Sequence, residues 1–215
     1  VKEQGFELNT NARNLKQTHS NNILVIVRGT HNELFAALVE RLQTVATGGE
    51  YQLVVDYIGE LDNEGRRAMK RVREVKPQGI LFLGGSSQDF SESFAGIRVP
   101  SVLVTNSAAE FHFKNLSSVT TDDTAAAAAA VGYLADMGHK KLAVIGGERV
   151  YSDTGRLRCA GVLRALTERG MTFDADRYYK TAHYSFDEGY EAMTELLRDA
   201  PEITAVFAMA DVMAI

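Results

Sequence analysis

The feature that most constrains this chain is its rhythm. Short β-branched runs alternate with longer segments in which apolar residues recur every three or four positions. Ile23-Leu24-Val25-Ile26-Val27 is an apolar run of strand length, and residues 32–47 follow with Leu34, Leu38, Leu42 and Val45 on one helical stripe. Gly48-Gly49 predicts the end of that helix. Leu53-Val54-Val55 predicts a second strand, and residues 62–75 a second helix with Leu61, Ala68, Met69 and Val72 inward and Pro77 as its stop. Gly79-Ile80-Leu81-Phe82-Leu83 reads as a third strand, closed by Gly84-Gly85-Ser86-Ser87, and Val102-Leu103-Val104 as a fourth. Strands apolar throughout are buried on both faces, and strand–helix alternation implies a parallel sheet covered by helices on both sides.

The rhythm then restarts. Asp122-Asp123-Thr124 caps a helix running through the six alanines 125–130 to Met137, where Gly138 supplies a left-handed stop. The alanines are strong helix formers whose small side chains permit close packing. Leu142-Ala143-Val144-Ile145 is a strand ending in Gly146-Gly147; helices follow at 154–169 and 186–199, with a short stretch near Tyr178-Tyr179 between them. Ala205-Val206-Phe207-Ala208 is a further strand, and Asp211 begins a helix the chain does not complete. The interruption between about Thr105 and Val119 predicts two α/β units in tandem. The fold class expected is therefore α/β with two doubly wound parallel-sheet lobes, the second incomplete at its C-terminal end. Such lobes bind ligands between the C-terminal ends of their strands.

Composition excludes several classes. Of 215 residues, 45% are hydrophobic and 24% charged, enough to bury a core. No stretch reaches the roughly 18–20 uninterrupted apolar residues of a membrane helix, and residues 1–17, polar and mixed in charge, do not read as a signal peptide. A net charge of −5 makes the body a poor general phosphate binder, so DNA contact must be local. The single cysteine, Cys159, allows no internal disulfide and no metal cluster, and is compatible with a reducing cytoplasm. Catalytic signatures are missing: there is no G-x-S-x-G elbow, H-E-x-x-H pair or phosphate loop. Asp122-Asp123 reads as a helix cap with a favourable dipole interaction rather than as an acid–base pair, because adjacent residues at a helix start point apart. No metal or cofactor is called for.

Three segments carry a family resemblance. Residues 5–16 (GFELNTNARNLK) resemble the linker of LacI/GalR regulators, which joins a helix-turn-helix head to an effector-binding core. Residues 133–147 (YLADMGHKKLAVIGG) resemble that family's helix–GH–strand–GG signature, and residues 205–215 (AVFAMADVMAI) its strand followed by a D-x-M-A turn. The order and spacing agree, residues 79–85 fit as well, and the likeness covers nearly the whole chain. Two departures stand out: the helix-turn-helix is missing except for its last residues, 1–6, and the chain stops before the segments that complete the second lobe. The family's common Asn-Pro-Phe loop here reads Asn32-Glu33-Leu34-Phe35.

The resemblance implies an effector-binding regulator, cytoplasmic and not an enzyme. Its parts would be the end of the DNA-binding head with the hinge linker (1–21), an N-terminal lobe (22–118) and a C-terminal lobe (119–215). It places the effector-binding arginine at Arg158 rather than Arg156; a rigid fork of five donors suits sugar hydroxyls, a carboxylate or a base edge. Asp211, at the C-terminal end of a buried strand, would accept from ligand hydroxyls or cap the helix it begins. Thr154 matches a polar contact of related regulators, and Tyr184 the aromatic that packs on the effector ring, while Phe186 reads as core. Leu34 and Phe35 would form the opposite wall, Phe35 serving equally as core; Asn32, Arg28 and Ser86 are weaker candidates. His139 reads as structural, and His31 and His183 carry no assignment. In the linker, Ala12 and Leu15 would meet the DNA minor groove with Leu15 as an apolar wedge, and Arg13 would help at phosphates.

The implied partners are a small-molecule effector (a sugar first, a nucleoside or purine second), operator DNA and a second copy of the chain, with no membrane. A periplasmic sugar-binding protein of the same architecture is the competing expectation.

Overall fold

The computed structural model describes residues 20–29, 32–59, 62–87, 90–149 and 152–215. The linker residues Ala12, Arg13 and Leu15, together with His31 and Leu61, lie outside the described residues. Strands β1 (Asn22–Arg28), β2 (Gln52–Ile58), β3 (Gly79–Leu83), β4 (Ser101–Val104) and β5 (Leu116–Val119) form one sheet in the order β2-β1-β3-β4-β5. Strands β6 (Leu142–Gly146), β7 (Tyr179–Thr181) and β8 (Ala205–Ala208) form a second, in the order β7-β6-β8. Every ladder is parallel. In each sheet the chain moves outward from its first strand in one direction and then reverses. The reversals fall between β1 and β3 and between β6 and β8. Doubly wound sheets open a crevice at these switch points, outside the strand C-termini.

Helices α1 (Glu33–Gly48) and α2 (Glu64–Val75) and the short α3 (Phe90–Phe94) belong to the first sheet, and α4 (Asp123–Asp136), α5 (Asp153–Thr167), α6 (Ala175–Tyr178) and α7 (Phe186–Asp199) to the second. Their starts follow side-chain capping: Asn32, Asn63, Asp122, Ser152, Asp174 and Ser185 each accept a hydrogen bond from a backbone N–H of the first turn. The second helix thus begins one residue after Asn63, not at Asp62. Gly138 and Gly170 stop their helices at φ 98° and 65°, values glycine adopts without strain.

β1 shows why the first sheet reads as a continuous apolar run. Leu24 and Ile26 enter one core with Ala68, Phe82, Phe90 and Phe94; Val25 and Val27 enter another with Phe35 and Leu83. Alternate residues face opposite sides, and both sides are covered. The stretch expected as an interruption is different. Residues 116–119 add a fifth strand, and Phe111 and Phe113 pack on Phe90 and Phe94 with ring centroids 5.2 and 5.0 Å apart. Leu116-Ser117-Ser118-Val119 is an edge strand with alternating exposure, so it has no apolar run to announce it.

In the second lobe α4 and α5 pack closely along the alanine run. An added Cβ at Gly161 would lie 2.3 Å from the Thr124 carbonyl oxygen and 2.9 Å from the Ala127 Cβ. His139 Nδ1 lies 3.0 Å from Thr204 Oγ1, linking the turn after α4 to the approach to β8. Phe186, expected in the core, is 51% exposed: it is the first residue of α7, ahead of the buried stripe of Gly189, Ala192 and Leu196.

Candidate ligand site at the strand C-termini

The expected binding residues of the second lobe gather where its strands end. Arg158, on α5, donates from Nε to Asp123 Oδ1 at 2.8 Å and from Nη1 to the carbonyl of Met209, just beyond β8. Asp123 is 4% exposed and Arg158's side chain 26%. The aspartates 122 and 123 thus do different things. Asp122 caps α4 by accepting from the Ala125 N–H at 2.9 Å, whereas Asp123 is turned inward to hold the guanidinium. Both contacts leave part of the fork open, aimed by a carboxylate on one side and a carbonyl on the other.

Tyr184 follows β7. Its ring occupies the space that a side chain on Gly147 would need: a Cβ there would lie 2.9 Å from Tyr184 Cε2. Gly146 makes the same allowance for Met209 and Tyr179, whose hydroxyl donates to the Gly147 carbonyl. Burial holds the Tyr179 phenol far above its ordinary pKa, so it remains a donor. Tyr184 has a positive φ of 44°, and Thr105, at the end of β4, one of 76°. For bulky or β-branched residues such values are strained, and strain of this kind concentrates at functional positions.

Asp211 opens the last short 3-10 helix (Asp211–Met213) with its side chain exposed; Ala210 occupies the cap position and no side chain caps there. Its backbone carbonyl accepts from the Ala214 N–H at 2.9 Å, closing the short turn that follows β8. Thr154 lies in the first turn of α5, half-buried.

In the first lobe the expected pair separates. Phe35 is 7% exposed and packs with Val25, Val27 and Leu83 beneath Gly84, so it supports the crevice floor from inside; Leu34, on the same turn, is 57% exposed. The Asn32 side chain caps α1. Arg28, at the end of β1, pairs with the buried Glu64 and donates to the Asp62 carbonyl at 2.8 Å. Glu64 also accepts from the Ser86 N–H at 2.9 Å, which ties the loop after β3 to α2.

One contact between the lobes had no signal in the sequence. Asp153, the first residue of α5, accepts from the Ser87 N–H at 2.6 Å, from Ser87 Oγ at 2.7 Å and from Asn106 Nδ2 at 3.3 Å. Asn106 is itself anchored by donating to the Gly85 carbonyl at 2.9 Å. An aspartate at a helix start already has a local explanation in the helix dipole, so its reach across the crevice shows only in three dimensions. Asp153→Ala removes this clasp. Hydrogen bonds to a charged acceptor are worth roughly 1.5–3 kcal/mol, so the variant is expected to open in solution. Small-angle scattering should give a larger radius of gyration than for the parent, and an identical curve would show that the clasp does not hold the lobes.

The site offers an aimed guanidinium, a carboxylate, a phenol ring and small hydroxyls. Among the described residues no group of three His, Cys, Asp or Glu side chains is placed to hold a metal ion. Burial raises the Cys159 thiol, which disfavours a reactive thiolate. This is chemistry for gripping a polar molecule.

Comparison with known proteins agrees with the architecture. Residues 20–215 match the family described as periplasmic binding proteins and sugar-binding domain of the LacI family. The whole chain aligns at 30% identity with the HTH-type transcriptional regulator MalR of Clostridium butyricum and at 29% with catabolite control protein A of Priestia megaterium, spanning 64% of each. Among solved structures, a complex of the transcriptional regulator CelR with cellobiose superposes with a TM-score of 0.75 at 24% identity, over 99% of this chain and 63% of that one.

Proposed function

Because this chain belongs to the family of periplasmic binding proteins and LacI-type sugar-binding domains, we propose that it is the effector-binding core of a transcription regulator that takes a sugar or sugar derivative between its lobes. What supports the reading is that the Arg158 guanidinium reaches the Met209 carbonyl just past β8, the Tyr184 ring lies against Gly147 just past β6, and Asp211 follows β8 by three residues. Arg158 and Asp211 would bond the hydroxyls, Tyr184 would pack on the ring face, and Thr154 would add a polar contact. Leu34 would form part of the first lobe's wall, and Phe35 would support it from the core. The regulators MalR and catabolite control protein A, similar along the whole chain, support this reading over a transport protein, and the cellobiose bound by CelR supports a sugar over a nucleoside.

In the proposed organisation residues 1–21 link to a DNA-binding head, 22–118 form the first lobe and 119–215 the second. Ala12, Arg13 and Leu15 contact operator DNA, and two copies act together in the cytoplasm. Among the described residues no helix is long and apolar enough to cross a membrane. Effector binding shifts the balance between lobe arrangements only as far as it favours one over the other. The Asp153 clasp biases that balance before the effector arrives. A thermal-shift screen of mono- and disaccharides against nucleosides tests the reading. A sugar is expected to raise the melting temperature, and Asp211→Ala to abolish the rise. A response to nucleosides alone would replace the sugar, and no response to either class would remove the effector reading.

A further inference from the structure

The turns that precede the strands of a parallel sheet all emerge at one end, opposite the crevice. In the first lobe that end gathers cations. Lys76 caps α2 before β3, Arg98 lies in the turn before β4, and Lys114 lies in the turn before β5; these three strands are neighbours. All three side chains are exposed, as is Arg73 in the last turn of α2. Among the described residues, none of the four shares an ion pair with a carboxylate. Glu74 is engaged by Arg71, and Glu50, in the turn before β2, lies toward the opposite edge of the sheet.

The arrangement is held in place. Asn115 Nδ2 donates to the carbonyls of Ile97 at 3.1 Å and Val99 at 3.0 Å, the two residues flanking Arg98, so the Arg98 and Lys114 turns are joined. Ser20 Oγ donates to the carbonyls of Val75 at 3.1 Å and Lys76 at 2.6 Å. The chain therefore enters the described fold beside the same cations. The net charge of −5 does not originate here: residues 120–215 contain 15 Asp and Glu against 10 Lys and Arg.

We propose that this end of the first lobe is a docking surface for the phosphate backbone of DNA, with Lys76, Arg98 and Lys114 lying along one strand of the duplex beside the segment that enters at Ser20. The proposal rests on the regulator reading and extends it from the head and linker to the core. Neighbouring β-strands are about 4.8 Å apart, so the three cations span about 10 Å, a length of helix axis over which one DNA strand carries about three charges. Phosphate contacts carry no sequence information, so the surface adds affinity and orients the core on the duplex without choosing the operator.

The test uses the regulator with its DNA-binding head, as parent and as K76Q/R98Q/K114Q. Each is titrated by fluorescence anisotropy with a duplex of about 40 base pairs, selected from a random pool by the parent, between about 50 and 200 mM KCl. The plot of log affinity against log salt is expected to be shallower by about 2–3 in the triple variant, with binding about ten- to a hundredfold weaker at the lowest salt. K140Q/K141Q/R164Q in the second lobe should match the parent. An unchanged slope in K76Q/R98Q/K114Q overturns the proposal while leaving the regulator reading intact, and leaves the cations to an acidic protein partner. A parent that selects no duplex overturns both.

Discussion

Arg158→Ala is expected to lower the free energy of unfolding by about 3–5 kcal/mol and to abolish the effector-induced thermal shift. The two losses have different origins. Asp123 is 4% exposed, and Arg158 Nε is its charged partner at 2.8 Å. Truncating the arginine strands a carboxylate that has already given up its hydration, and that penalty, more than the lost attraction, sets the size of the effect. The Met209 carbonyl loses its donor as well. The lost thermal shift follows instead from removing a donor fork at the end of β8. A second substitution separates them: Asp123→Asn in the Arg158→Ala background removes the stranded charge and should recover most of the stability, without restoring the response to sugar. Urea unfolding followed by far-ultraviolet circular dichroism gives the stability, since the chain has no Trp. An Arg158→Ala protein as stable as the parent would mean that the pair is not what holds Asp123. One that still responded to sugar would move the binding site elsewhere.

The second large effect is expected at Gly161. Gly161→Leu must place its Cβ where the Thr124 carbonyl oxygen stands at 2.3 Å and the Ala128 N at 3.0 Å. Both are backbone atoms of α4, so no rotamer change relieves the overlap and the helices must separate. Overpacking costs typically 1–3 kcal/mol when side chains can adjust. Here the expected loss is at or above about 3 kcal/mol, read as a lower urea midpoint, with a smaller loss for Gly161→Ala. Thr124 Oγ1 donates to the Leu157 carbonyl at 3.1 Å across the same seam, so its loss should accompany the separation. Because Arg158 sits one turn before Gly161 on α5, the variant should also weaken effector binding. An unaltered midpoint in Gly161→Leu would show that the α4–α5 approach is not as close as the structure has it.

Local order was legible wherever apolar periodicity was strong. The helix expected at 186–199 and the strand at Ala205–Ala208 stand where the pattern put them. Their boundaries are written in capping residues and in the switch between periods of 3.6 and 2. The fifth strand was not legible, because a half-exposed edge strand needs no continuous apolar run. Neither was α3, whose five residues are held by the stacking of Phe90 and Phe94 rather than by propensity. The site was legible as a set of residue types. The resemblance singled out Arg158, Tyr184 and Asp211; Tyr184 and Asp211 follow β7 and β8 by three residues each, and Arg158 reaches the Met209 carbonyl beyond β8 from within α5. Neighbours could not be told apart in this way: Leu34 is exposed where Phe35 is buried, and Asp122 caps a helix where Asp123 binds an arginine.

From the sequence alone came the alternation of strands and helices, and with it the expectation of two parallel-sheet lobes with a cleft at their strand C-termini. The alternation is decided by the preferences of a dozen consecutive residues at a time, whereas the strand order and its switch points came from the structure. Only the tertiary structure joined Arg158 to Asp123 across 35 positions and Asp153 to Ser87 across 66. The first forms because burial of Asp123 removes competing water and makes the nearest cation its best remaining partner; the second forms where packing sets Ser87 beside the start of α5. Which group is nearest depends on how separate elements pack, a property that no short stretch of sequence contains.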